Sequence, residues 1–332
     1  MLPILVAIRN ILGFENQMKI IQRLPDIRST ILDLVFPPEK RRNNPSPLVK
    51  QSELYTPIQS IALTRRGGAP QRIDNMTLSN AAWEPFPVNP YRGITGADLN
   101  NWKLWNGESQ EQYIARQIDL NRHTIRLTSE AMAAQALSGG ALDYPVLMDG
   151  VLTNHFKITF GTIATVAVAK KWDADGAKIG DVMKVLVDQR DQIQTSGYGS
   201  SVKFLAGRNA FFALFNLISA ASNDSRYPST VSENEIIIAG NVIRLCSETY
   251  YNPQTKAQVK KVADTALIGF AADAPHELIY SALDDIDSGF IASPFWSKAV
   301  KPDTENEIRI ISEAKPLPVI YPYAVAKSTV SD

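Results

Sequence analysis

Three histidines, one cysteine, a glycine-rich run and two aspartate clusters are the residues whose types and spacing could do chemistry. His123, His155 and His276 have no second histidine at a metal-ligand spacing, so each reads as a surface or structurally satisfied histidine. Cys246 stands alone, so it can form neither an intrachain disulfide nor a tetrahedral thiolate site. Its apolar run, Val242-Ile243-Arg244-Leu245-Cys246, makes it a buried, inert thiol. The run Ser196-Gly197-Tyr198-Gly199-Ser200-Ser201 lacks the lysine of a P-loop. It also falls between an expected helix and an expected strand, the reverse of a phosphate cradle. Asp284-Asp285-x-Asp287 resembles a calcium loop only until Gly289 and Phe290, so a solvated loop is expected there. Asp173-x-Asp175-Gly176 starts similarly but has no closing glutamate, and reads as a turn. No Gly-x-Ser-x-Gly elbow occurs. No catalytic, cofactor-binding or metal residue is therefore assigned, no cofactor is expected, and the chain reads as a structural or binding protein rather than an enzyme.

The 332 residues suffice for one large domain or two ordinary ones, and a 45% hydrophobic fraction can build a substantial core. The 34 basic and 34 acidic side chains cancel. Such balance gives no support to a charge-held nucleic-acid surface, and it suits a protein packed against many copies of itself. Met1 to Phe14 is apolar but lacks the basic start of a signal peptide, and Arg9 interrupts it. Ile158 to Ala169 is too short to span a bilayer and reads as a buried strand. No membrane partner is expected.

Leu2 to Leu24 suggests amphipathic helical pieces broken near Gly13, either docked on the chain's own core or leaving as an arm. Phe36 to Pro47, dense in proline and charge, reads as an extended, solvated connector that includes Lys40-Arg41-Arg42. Between Leu48 and Pro90, strand-like pieces at Leu54 to Leu63 and Ile73 to Leu78 flank Thr64-Arg65-Arg66-Gly67-Gly68-Ala69-Pro70. Paired glycines between such pieces predict a long hairpin with its turn at Gly67-Gly68. Ser109 to Ser138 is the clearest element. Ser109 and Gln112 fit a capping box, Ile114, Ile118, Ile125, Met132 and Ala136 share a face, and Gly139-Gly140 ends the helix. Thirty residues make a rod of about 45 Å, a spine with one narrow apolar stripe. Strands follow at Tyr144 to Met148 and Asn154 to Thr159, joined by a turn at Met148-Asp149-Gly150-Val151, then a helix at Ile179 to Gln194 and a strand at Val202 to Leu205. A helix at Asn209 to Ser219 carries Phe211, Phe212, Leu214, Phe215 and Leu217, all expected in the core. Ile236 to Leu245 reads as strand-turn-strand, and Ala266 to Phe270, Glu307 to Ser312 and Val319 to Lys327 as strands. The class is mixed α+β.

This order of elements resembles the major capsid proteins of lambda-like tailed bacteriophages, the E-type family. Thr56-Pro57-Ile58 with Thr64-Arg65-Arg66-Gly67-Gly68 is similar to that family's projecting hairpin and its Arg-Gly-Gly turn, and Phe86-Pro87-Val88-Asn89-Pro90 to the strand returning from it. The 109–138 helix resembles the family's spine helix. Asp264-Thr265-Ala266-Leu267-Ile268-Gly269 and Glu313-Ala314-Lys315-Pro316-Leu317-Pro318-Val319 resemble the axial strand and the closing strand. The likeness runs from about residue 15 to the end. It implies the Johnson fold, shared by phage capsids, encapsulins and the floor of herpesvirus shells. It further implies an N-terminal arm and connector at 1–47, an extended hairpin loop at 48–90 and a peripheral domain at 91–160. An axial domain at 161–305 and return strands to the peripheral domain at 306–332 complete it. A structural head protein of the virion is implied, assembled in the host cytoplasm as hexamers and pentamers of itself into an icosahedral shell around double-stranded DNA held non-specifically. A separate scaffold, a portal and possibly a decoration protein are the other implied partners. No long N-terminal segment is expected to be removed. No lysine–asparagine cross-link is expected, since the hairpin's only lysine is Lys50. An encapsulin-like nanocompartment shell is the nearest rival, and a soluble α+β enzyme or another virion part are more distant ones.

Arg65 and Arg66, beside the Gly67-Gly68 turn, are the candidate inter-subunit contacts, because a planar guanidinium can grip a neighbour's carboxylate through two hydrogen bonds. Losing one partner of a buried interfacial pair costs roughly 2–5 kcal/mol, and a rim charge far less. Arg66→Ala should therefore lower shell yield, read by sedimentation, without changing the monomer's melting temperature, and the same change at the solvated Lys40 should do little.

Overall fold

The structure is a computed structural model that describes residues 27–50, 82–98, 110–148, 150–220, 228–302 and 307–332. Among these residues four α-helices stand out: α1 (Thr30–Val35), α2 (Gln110–Gly139), α3 (Ile179–Gln194) and α4 (Arg208–Ala220). No described helix is long and apolar enough to cross a membrane. The spine is thus a 30-residue helix. Ser109, its expected cap, lies outside the described residues, as do residues 1–26 and most of the expected hairpin, 51–81.

The largest sheet among the described residues has seven strands, in the order 164–165, 325–329, 266–271, 202–206, 241–245, 235–238, 229–231. Alternate side chains point to opposite faces of a strand, and the sheet uses both. Phe204, Ala206 and Leu267 pack against α3 and α4. Leu205, Ile268 and Phe270 face the other way, into the cluster that holds α1 and the C-terminal third of the spine. Gln189, buried on α3, fastens its helix to this sheet by donating to the Leu267 carbonyl oxygen (3.2 Å) and to Ser328 Oγ (2.8 Å).

The spine changes character along its length. Ile114 and Ile118 pack on a three-stranded sheet of Trp296–Val300, Glu307–Glu313 and Tyr91–Thr95. Asn121 reinforces this contact, donating to the Ile310 carbonyl oxygen and to Ser312 Oγ, both at 3.1 Å. Further on, residues 129–134 and 136–137 are all buried. One narrow stripe therefore describes only the first half. Ala131, Ala133, Ala134 and Ala136 let neighbouring segments close on the second half from several sides. Beyond the spine, Ala141–Met148 and Val151–Thr159 pair as the expected hairpin, with Gly150 at φ +79° in the turn.

Several expectations are corrected. The 36–47 stretch is not a solvated connector. Phe36 is fully buried, Arg41–Asn44 is a strand pairing in parallel with Glu277–Ser281, and Lys40 donates to the carbonyl oxygens of Ala272 and Ala274, so Lys40→Ala is not the neutral change expected from the sequence. Ile158 to Ala169 is no continuous strand, because the chain turns at Phe160–Gly161, where both amides donate to the Gly140 carbonyl oxygen and Gly161 adopts φ +149°. Val319 to Lys327 divides into Pro316–Val319, a 3-10 turn at Pro322–Ala324 and Val325–Thr329, since Pro322 cannot donate to a ladder. The last strand joins the seven-stranded sheet, so 306–332 does not return as one piece to the spine region. Conversely, Trp296–Val300, expected in the axial part, belongs to the spine-side sheet.

Gly207 marks a close backbone approach beside the seven-stranded sheet. It links the strand Val202–Ala206 to α4, and an added Cβ would collide with the Ala263 carbonyl oxygen and the Asp264 backbone. Overpacking of this kind costs about 1–3 kcal/mol. Gly207→Ala should lower the urea midpoint accordingly, while Gly180→Ala, whose Cβ meets nothing within 4 Å, should not.

Candidate functional site

Arg65, Arg66, Gly67 and Gly68 lie outside the described residues. What the structure brings together instead is a polar joint between the spine and the segment that follows residue 26. The first amides of a helix need acceptors from outside it, and the side chain of the N-cap Ser29 accepts from none of them in α1. Glu130, on the spine, supplies them. Its two carboxylate oxygens accept from the amides of Ile31 and Leu32, each at 2.8 Å. The same carboxylate pairs with Lys261 at 2.9 Å, and Lys261 also pairs with Glu248, which accepts from the Thr30 hydroxyl. Glu130 and Lys261 are almost fully buried.

One helical turn earlier, Arg126 grips the same helix. Its Nε donates to Ser29 Oγ at 2.8 Å, and its guanidinium pairs with Asp33. Arg41 pairs with Asp33 at 2.7 Å and donates from Nε to the Phe36 carbonyl oxygen at 2.9 Å. Burial would raise the Asp33 pKa, but the Ser29 amide and the two guanidiniums outweigh it and hold the carboxyl below its ordinary value. Burial likewise opposes the charge on Lys261 and on Glu248. Glu130 first, and Glu248 with it, hold the lysine above 10.5, while Lys261 and the Thr30 hydroxyl hold Glu248 below 4.5.

The histidines, the cysteine, the glycine-rich run and the aspartate cluster are bound up in structure. His276 is buried, accepts from the Tyr321 amide at its Nδ1 (3.1 Å), and is pushed by that burial to about 3, so it is neutral. His123 sits one turn from Asp119, and His155 pairs with Asp143. The Cys246 thiol is buried and pushed up to about 12. The Gly199 and Ser200 amides donate to Asp273, so the chain's own carboxylate fills the glycine-rich loop. The aspartate cluster is anchored rather than merely solvated: Lys298 pairs with Asp285 and Asp287, and Lys315 pairs with Asp284. No group of three potential metal ligands occurs among the described residues.

Apolar side chains left in the open mark the surfaces. Phe212 and Phe215, expected in the core, are 48% and 39% exposed, because α4 buries its Phe211–Leu214–Ile218 face and must turn these two outward. Leu120 and Leu127 project from the outer face of the spine. Leu147, Met148 and Val151 crown the hairpin tip, and Ile286, Phe290 and Ile291 crown the loop after Ser281. Isolated exposed apolar residues are ordinary, and these fall in groups on four elements.

Comparison with known proteins fits this picture. A family model described as phage major capsid protein E matches residues 14–330. Among solved structures, a prophage capsid protein from E. coli CFT073 superimposes with a TM-score of 0.63 at 12% identity, covering 96% of this chain and 99% of that one. A phage-related protein from Bordetella bronchiseptica RB50 gives 0.51 at 10% identity, covering 94% and 95%. At such identities these likenesses show the fold, which is the expected α+β capsid fold. No curated protein matches.

The joint predicts its own behaviour. Glu130→Ala would leave Lys261 facing only the half-exposed Glu248 and two helix amides without acceptors, a loss of about 3–5 kcal/mol by denaturant titration. The lowered Glu248 pKa adds stability that is present above 4.5 and lost as pH falls through the folded value, so Glu248→Gln should flatten the acid limb of the stability profile. The raised Lys261 pKa adds stability present below 10.5 and lost at higher pH.

Proposed function

The chain belongs to the phage major capsid protein E family, and on that premise we propose that it builds an icosahedral shell of hexamers and pentamers around double-stranded DNA. It is a major capsid protein, a structural component of the virion. The observation that carries the reading is the family match over 14–330, on a body whose exposed apolar groups call for neighbours. Balanced charge supports it too, since copies with a strong net charge would repel one another. In this reading the chain has no catalytic role and meets DNA without reading its sequence. It takes a separate scaffold and a portal as partners and assembles in the host cytoplasm.

The parts take their roles accordingly. Residues 27–47 form the root of an arm, held by Glu130 and Arg126 rather than free. The hairpin of 48–90 reaches a neighbour through Arg65 and Arg66 at its Gly67-Gly68 tip. The spine and the sheet of Tyr91–Thr95, Trp296–Val300 and Glu307–Glu313 make the peripheral part, and the seven-stranded sheet with α3 and α4 makes the axial part.

Negative-stain microscopy of the purified full-length protein tests this. Capsomers or shells are expected, with nuclease-resistant DNA inside particles recovered from an infected or induced host. A protein that stays monomeric at high concentration with its scaffold present would refute the reading, and shells holding a protein cargo without DNA would transfer it to the nanocompartment class.

A further inference from the structure

Residues 283–291 form a closed loop whose neck is fastened by the Leu283 amide donating to the Ile291 carbonyl oxygen (3.1 Å) and by a bridge between Ala282 and Ala292. Its interior is equally fixed. Asp285 Oδ1 accepts from the Asp287 amide at 2.8 Å, Ser288 Oγ donates to the Asp285 carbonyl oxygen at 2.7 Å, and the Phe290 amide donates to Ser288 Oγ at 3.1 Å. Phe290 is held at φ +59°, a conformation that L residues avoid. Yet this rigid loop presents Ile286 at 84% exposure and Phe290 at 58%. Strain and order spent on displaying apolar groups to water mark a surface built for a partner.

At the loop's foot lies a cavity of about 580 Å³. Its lining includes Arg28, Arg41, Arg122 and Arg126, with Asp33 as the one carboxylate among the described residues, and the apolar Ile125 and Phe295. Arg41 and Arg126 share Asp33, Arg122 pairs with Asp119, and Arg28 makes no ion pair among the described residues, so the cavity is positive. The loop has the opposite balance. Among the described residues, Asp284, Asp285 and Asp287 pair with Lys298 and Lys315. Loop and cavity thus match in charge and in apolar content.

We infer that the 283–291 loop of one copy seats in the arginine-lined cavity of a second copy, Asp287 meeting Arg28 while Ile286 enters the apolar part. The loop's high exposure shows that it does not fill its own cavity, although Tyr280 and Phe295 at its foot are part of the cavity wall. A contact that joins two different patches of identical copies is head-to-tail, and closes into a ring when the rotation allows. This rests on the reading of the chain as a self-assembling shell subunit. Its recognition chemistry is carboxylate on guanidinium around an apolar plug.

Charge exchange in the full-length chain tests it. Arg28→Glu and Asp287→Lys should each cut the assembled fraction, measured by sedimentation, by about tenfold, and the double variant should recover most of it. Melting temperatures of the unassembled variants separate misfolding from lost contact. Asp287→Cys with Arg28→Cys should give disulfide-linked multimers on a non-reducing gel, with buried Cys246 as the silent background. If the parent assembles while both single variants assemble equally well, or the double variant recovers nothing and no linked multimers form, the inference fails and the shell reading stands. If the single variants assemble normally but retain less DNA, the cavity belongs to nucleic acid and the inference is again overturned. If the parent itself never assembles, the shell reading fails first.

Discussion

The buried ion pair between Glu130 and Lys261 is the constraint on which the rest of the body depends. It stands where the spine passes from a half-exposed rod to a helix enclosed on nearly all sides. From this point the carboxylate completes the backbone bonding of α1, and the lysine reaches back through Glu248 to Thr30 of the same helix. Three segments far apart in sequence are therefore held in one relation. A buried pair contributes little net stability over an apolar core of the same shape, but it accepts only one arrangement of its partners. For a subunit that must present several contact surfaces at once, one fixed arrangement matters more than added stability. Arg126 and Asp33, a turn away, set the same helix a second time.

Much of this was legible in the sequence, and the reasons differ by element. The spine with its glycine end, α3 and the hairpin with its Gly150 turn follow from local patterns, which need no knowledge of distant residues. Arg41–Asn44 does not alternate in hydrophobicity at all. It is a strand because Glu277–Ser281, more than two hundred residues later, offers it a ladder, and because Arg42 finds Glu277 at 3.3 Å. Trp296–Val300 pairs with the strand that follows it, Glu307–Glu313, and through it joins the spine-side sheet. For Arg41–Asn44, non-local pairing overrides propensity. Lys40 looked solvated for the same reason, since its acceptors, the carbonyls of Ala272 and Ala274, are invisible locally.

The polar joint did leave a trace. Between Arg126 and Asp143, Glu130 is the only charged residue. A surface helix would carry several charges over that length, so a lone glutamate among alanines signals burial with a partner. The partner's identity was not readable, because Lys261 follows Lys260 and the two look alike. The structure separates them: Lys260 pairs with Asp264 at the surface, and Lys261 turns inward.

Phe212 and Phe215 expose the limit of reading burial from composition. A residue excluded from water by its own chain and one excluded by a neighbouring chain are the same in sequence, because the hydrophobic effect does not distinguish the two. Only the coordinates of a single copy part them, and they part them sharply here: α4 buries one aromatic face and leaves the other bare. The loop of 283–291 makes the complementary point. Its rigidity comes from internal hydrogen bonds, so little conformational freedom remains to be lost when it meets a neighbour. Each such contact can then be weak alone and sufficient together, since closing a symmetric assembly makes every later contact intramolecular. A body held rigid by a few buried polar bonds, with its apolar groups turned outward on fixed supports, is what that arithmetic requires of a subunit.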